Sequence, residues 1–292
     1  MAEIIQRDGA WAFDGGTIRI TPGLHRRVAL FRQAYGEIAV PLRAVCGVVC
    51  EAGRGRCRLR LRLREGADPL LQATGGRLPA AADPYRLEVE ADRGGTAEYL
   101  AEEIRRALLL DRVPREPTTA YLLPGPPVPV SVRSSDGTVS FDGTRVRIDW
   151  ADTSGRAKRA AGPRIIALGD LAEVEWLPNS GHEDGFLRFV TREAGCSGLP
   201  PERDPHALDL WGSVRRDLLT ALVAAAVTAR LPHPSTGAGG APADHGPPRD
   251  ERGDRRHDVL LRRLRELGEL HREGVLTDEE FVRTKTAVLG RF

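Results

Sequence analysis

The chain has 292 residues, of which 41% are hydrophobic, 29% charged and only 5% aromatic. That length predicts about two domains at roughly 150 residues each, and the composition excludes collagen and full disorder. Lysine and arginine number 43 against 41 acidic residues, a balance that gives no global pull toward nucleic acid or membrane.

In chain order, the first residues lack the basic region and apolar core of a signal peptide. Trp11 to Phe13 and Thr17 to Ile20 flank Asp14-Gly15-Gly16, a hairpin signal. Tyr35 to Val40, Val45 to Cys50, Arg56 to Arg64 and Tyr85 to Glu90 read as further strands bounded by Gly, Pro or Asp. A helix then opens at Thr96, with Ala97, Leu100, Ile104, Ala107 and Leu108 on one face at spacings of three and four. Residues 114–129 contain six prolines and read as a semi-rigid extended spacer.

Past the spacer the pattern begins again. Phe13-Asp14-Gly15 recurs as Phe141-Asp142-Gly143, and Leu59-Arg60-Leu61 as Leu187-Arg188-Phe189, each at an offset of 128. Leu42, Val45 and Val48 match Leu168, Leu171 and Val174 at 126, and Asp83-Pro84 matches Asp204-Pro205 at 121. The loop before that last anchor is thus seven residues longer in the first copy. Several anchors in one order make a repeat the direct reading. The second copy closes on a helix with Ser213 as candidate N-cap and Val214, Leu218, Ala221, Leu222, Ala225 and Ala229 as its buried stripe. The expected fold class is α+β: two antiparallel β-roll or sandwich domains, each closed by a C-terminal helix, plus a two-helix hairpin. By analogy each copy resembles a pleckstrin-homology-like roll. The expected divisions are 1–113 and 130–231 for two independently folding copies, 232–257 for a disordered linker, and 258–292 for the hairpin.

In the last segment Leu260, Leu264, Leu267 and His271 line one face, Gly274 is a helix stop, and Thr277 with Glu280 forms a capping box. Leu276 and Phe281 stand at staple positions, and Val288 and Leu289 continue the second face. Gly274, Thr277, Glu280, Phe281 and Lys285 fall on a pattern that resembles the SHOCT (short C-terminal) domain over about 32 residues. The paired domains, through Phe-Asp-Gly at each start and Glu173-Val174-Glu175-Trp176, resemble an actinobacterial domain of unknown function that often precedes SHOCT. The resemblance implies regulatory cytoplasmic proteins, with assembly suggested for SHOCT and no established activity. An isolated hairpin this short needs a partner surface, so Leu260, Leu264, Leu267, Leu276, Phe281, Val288 and Leu289 are the assembly candidates.

Arg54, Arg56, Arg58, Arg60, Arg62 and Arg64 alternate along one strand, which puts six guanidiniums on one face. That face either meets phosphate or an acidic partner, or is a solvated face paired across to Glu88 and Glu90. The chain's 41 arginines against two lysines suggest a GC-rich genome, which lowers the weight of the row. Cys46, Cys50 and Cys57 lack metal-ligand spacing and are expected as reduced, small apolar side chains. His182, Glu183 and Asp184 lie in a turn, and Trp11, Trp150, Trp176 and Trp211 fit core positions. No phosphate-binding loop, dinucleotide fingerprint, zinc-protease motif or nucleophile elbow occurs. The expectation is a non-enzymatic cytoplasmic scaffold with no cofactor and no transmembrane segment. It would bind a protein, itself or an anionic ligand, and nucleic acid is not the expected partner. The alternatives are a membrane-surface or nucleic-acid adaptor using the arginine row, and an unrecognised enzyme with a cleft between the repeats.

Overall fold

The computed structural model describes residues 2–53, 56–181, 183–193 and 198–239, with the side chains of 52, 53, 56 and 237–239 outside that description. Hairpin residues Leu260, Leu264, Leu267, Leu276, Phe281, Val288 and Leu289 lie outside the described residues, as do Arg54, His182 and Cys196.

Copy one is a meander of β1 (Ala2–Gln6), β2 (Gly9–Phe13), β3 (Thr17–Pro22) and β4 (Ile38–Pro41), with a short helix α1 (Leu30–Tyr35) before β4. A second antiparallel sheet holds β5 (Val45–Gly53), β6 (Arg56–Leu63) and β7 (Arg86–Glu90). Helix α2 (Pro69–Thr74) lies between β6 and β7, and α3 (Gly94–Leu110) follows β7. Copy two repeats the plan as β8 (Val130–Arg133), β9 (Gly137–Phe141), β10 (Arg145–Trp150), α4 (Arg156–Ala161) and β11 (Arg164–Ala167). Its second sheet is β12 (Leu171–Leu177), β13 (Gly185–Thr191) and β14 (Ala207–Leu210), followed by α5 (Val214–Asp217) and α6 (Thr220–Thr228). The molecule therefore mixes helices with antiparallel sheets in two repeated domains. Even the β-bulges recur, between Val45 and Gly47 and between Leu171 and Glu173.

The repeated sequence anchors are architectural. Asp14 Oδ1 accepts from the Gly16 and Thr17 amides, and Asp142 Oδ1 from those of Thr144 and Arg145. Phe-Asp-Gly is thus a self-bonded turn beside a buried ring. The amide bonds hold the exposed Asp142 carboxyl down at about 2. An ion pair built on a buried cation also recurs. Arg32 meets Asp8 at 2.9 Å and Lys158 meets Asp136 at 2.6 Å. In each copy the same carboxylate accepts a sheet amide, Glu88 N–H or Asp209 N–H.

Four expectations change. Residues 30–35 are helical, so the strand predicted from Tyr35 starts at Ile38. The spacer packs instead of standing off: Leu123 is buried in the copy-one core, and the Leu122 and Leu123 amides donate to Ala67 C=O. The start of the expected disordered linker is held too, with His233 edge-on to Tyr121 and 3.0 Å from Gly66 C=O. The core of copy two is also not its own alone. Phe31, Leu70, Ala73 and Ala82 of copy one belong to the core of copy two, and residues 1–240 form one compact unit.

The reason for that fusion is α2. Asp68 caps it through the Leu70 and Leu71 amides, Pro69 occupies its first turn, and Gly75 closes it at φ +55°. The extra seven residues of the first copy's loop thus accompany a helix; among the described residues the matching loop of copy two has none. Helix α2 lies on α6, whose residues from Thr220 to Thr228 are all buried. A helix apolar all round must be covered all round, and α2 supplies the outer cover.

Candidate interaction surfaces

Strand β6 alternates as expected: Leu59 and Leu61 are buried, while Arg58, Arg60 and Arg62 share the opposite face. Arg58 is paired with Glu88 at 2.7 Å and has Glu51 opposite on β5. Arg60 lies between Val49 and Arg86, and Arg62 opposite Gly47; among the described residues neither has an ion pair. Arg64 has left the row, donating to Glu116 C=O at 2.9 Å and Arg43 C=O at 3.1 Å. The Arg56 side chain lies outside the described residues. Among the described side chains of the row, Arg60 and Arg62 are the uncommitted guanidiniums. Arg188, the copy-two counterpart of Arg60, is buried on Asp204 and Glu175.

The cysteine expectation is overturned at one pair. Cys50 and Cys57 form a disulfide across the β5–β6 hairpin, with Cα atoms 6.5 Å apart. The hairpin brings together two residues that spacing alone left apart. Cys46 stays free and donates to Leu63 C=O. Among the described residues no cluster could hold a metal ion. Trp11 and Trp176 are core residues as expected, but Trp211 is 45% exposed.

Sequence reading missed the groove between β5 and the end of α3. It holds about 590 Å³ and is lined by Val45, Val48, Leu108, Leu109 and Val113, with Arg105, Arg112 and Arg115 around it and no carboxylate in the lining. Helix α3 buries Ala97, Leu100, Ala101 and Ile104 and leaves Leu109 and Leu110 each 75% exposed. It ends in a Schellman closure, with Val113 N–H on Leu108 C=O and Arg112 N–H on Leu109 C=O. Arg112, at φ +48°, is the one non-glycine residue with positive φ among the described residues. Arg105 is engaged by Glu98 at 2.8 Å and by Glu102, whereas Arg112 and Arg115 have no ion pair among the described residues. The parts come from residues 45–48 and 105–115, so no local pattern announces the groove.

Comparison with curated proteins finds no match. A family described as domain of unknown function (DUF4429) matches residues 11–105 and again residues 139–228. These two segments fall on the two structural copies and together span more than half of the chain. The chain therefore belongs to the DUF4429 family, as a tandem pair of its domain.

Proposed function

We propose that this is a non-enzymatic interaction protein in which copy one covers the closing helix of copy two through α2 and itself presents the binding surface. The observation that carries the reading is the asymmetry of the closing helices: α6 is covered on every side, while α3 keeps an exposed apolar edge beside an arginine-lined groove. Its buried cations also have structural duties, since Arg32 in one copy and Lys158 in the other each pair with the equivalent aspartate. Each copy, with its four-stranded and three-stranded sheets and closing helix, fits a pleckstrin-homology-like roll. On its sequence pattern, the SHOCT-like segment 258–292 would set assembly or dock a partner. No helix among the described residues is long and apolar enough to cross a membrane.

The test is capture from native cell extract by the tagged full chain, beside a chain stopped at residue 257. A partner, or a second copy of the chain, held in stoichiometric amount is the expected result; its loss on truncation assigns it to 258–292. A full chain that retains nothing would overturn the reading. Half-buried Arg60 and exposed Arg62, neither ion-paired among the described residues, favour one second reading, an adaptor for anionic surfaces. That reading requires binding to phosphatidylglycerol vesicles or nucleic acid that falls steeply with salt and vanishes when both arginines become Gln.

A further inference from the structure

We propose that the α3–β5 groove binds an extended acidic segment of another protein, laid along the β5 edge with carboxylates on Arg112 and Arg115; this rests on the interaction-protein reading above. Among the described residues strand β5 has a sheet neighbour on one side only, β6. Leu61 turns its N–H away from β5, to Tyr85 C=O at 2.9 Å. Its cross-strand partner Val48 therefore points its own N–H and C=O away from β6, as alternation in an antiparallel pair requires. The Val48 C=O already accepts from Arg105 Nε at 3.3 Å, so this stretch of edge backbone opens toward the groove. Gly47 beside it has nothing within 4 Å of where a Cβ would stand, which leaves room for a second backbone to approach. An edge strand flanked by a helix is a template for an added strand, in which backbone bonds supply affinity and side-chain pockets supply specificity.

Charge decides what kind of strand fits. Among the described residues the lining has three guanidiniums and no carboxylate. Arg105 is already neutralised by Glu98 and Glu102 of its own helix, so Arg112 and Arg115 are the ones that a ligand must meet. Guanidinium forks suit carboxylates in a bidentate manner. Arg112 also holds a backbone conformation that glycine adopts at no steric cost, and such outliers gather where a side chain is needed for binding. The apolar wall of Val45, Val48, Leu108, Leu109 and Val113 favours a peptide over a bare phosphate, which has nothing to place there. A concave groove with edge backbone likewise favours a peptide over a lipid surface.

The experiment uses the full chain at pH 7.4 and a labelled, end-capped octapeptide of alternating glutamate and valine. Fluorescence anisotropy should detect binding at about 0.1 mM protein or below. The double variant Arg112→Gly with Arg115→Gln should weaken it at least about tenfold, without lowering the melting temperature, because glycine suits the φ of position 112. Arg60→Gln with Arg62→Gln should leave it unchanged, and a lysine–valine octapeptide should not bind. Absence of binding, binding indifferent to the Arg112 and Arg115 changes, or loss through Arg60 and Arg62 instead would each overturn the proposal. So would complete displacement by inorganic phosphate, or by phosphatidylglycerol vesicles at matched ionic strength, since the groove would then be a phosphate or lipid site. If the peptide fails while the full chain still captures a partner from extract, the groove assignment falls and the interaction-protein reading stands. If the peptide binds and extract yields nothing, that reading falls and the groove chemistry stands.

Discussion

Asp68 is fully buried and does two things at once: it caps α2 through two backbone amides and accepts the Tyr85 hydroxyl at 2.8 Å. Burial pushes its carboxyl up to about 6, although the Leu70, Tyr85 and Leu71 hydrogen bonds pull the other way. A folded-state value above the unfolded one means that the folded protein holds the proton more tightly. The associated stability is complete below about pH 4 and is lost as pH rises through about 6. A shift of this size corresponds to roughly 3 kcal/mol. Exposed carboxyls pulled down by hydrogen bonds, such as Asp142 and Glu37, act in the opposite direction, so the comparison with Asp68→Asn isolates this group. Urea midpoints should show the Asp68→Asn variant gaining on the parent by about 3 kcal/mol between pH 4 and pH 7. A constant difference across that range would rule out a strained ionised Asp68. The capping sequence Asp68-Pro69 to Gly75 is itself a readable helix signal, but the protonation behaviour arises from burial, against the pull of the Tyr85 hydrogen bond, and no local window contains either.

The contact of α2 with α6 depends on a close approach at Gly125, in the proline-rich stretch. A Cβ there would stand 2.8 Å from Ala229 Cβ and 3.1 Å from Pro69 Cγ, at φ +72°. Gly125→Ala should therefore cost about 1 kcal/mol for the left-handed backbone and about 1–3 kcal/mol more for overpacking. Gly76, at φ +68° with nothing within 4 Å, is the control: Gly76→Ala should cost only the conformational part, about 1 kcal/mol. Equal losses in urea melts would show that Gly125 does not wedge the two helices. The elements were unevenly legible. The two copies could be read because their anchors, Phe13 with Asp14 and Phe141 with Asp142, are a core ring and a self-bonded turn that the fold needs twice. The opening strands β1 and β8 went unread, because each is a short run with no earlier strand or turn to set its limit. The strand expected from Tyr35 overlaps only the last residue of helix α1, whose six residues are too few for a helical period to show. The loop-length difference was visible, whereas its meaning required the outer face of α6, which lies about 150 residues further along the chain.

At the scale of the whole molecule, tandem repetition suggested two domains that fold separately, and the shared core argues against it. Copy two built as residues 130–239 would contain its own sheets and α6 but not α2, Phe31 or Ala82, all of which contribute to its core. Its helix would expose an alanine- and valine-rich face with no polar side on which to fall back. Copy one is less dependent. Its own core, from Ile4 and Trp11 through Leu100 and Ile104, is closed by α3, although Leu123 of the spacer is also part of it. The two fragments should thus behave unequally. Residues 1–128 should fold cooperatively, with α2 left solvent-exposed and prone to association through Leu70 and Ala73. Residues 130–239 should show no cooperative transition or should precipitate, and should regain one when mixed with residues 1–128. Residues 1–240 as one chain should unfold in a single calorimetric transition whose van't Hoff and calorimetric enthalpies agree. Two resolved transitions in that chain, or an isolated second copy that melts cooperatively, would show that α2 only rests on α6 and does not complete its core.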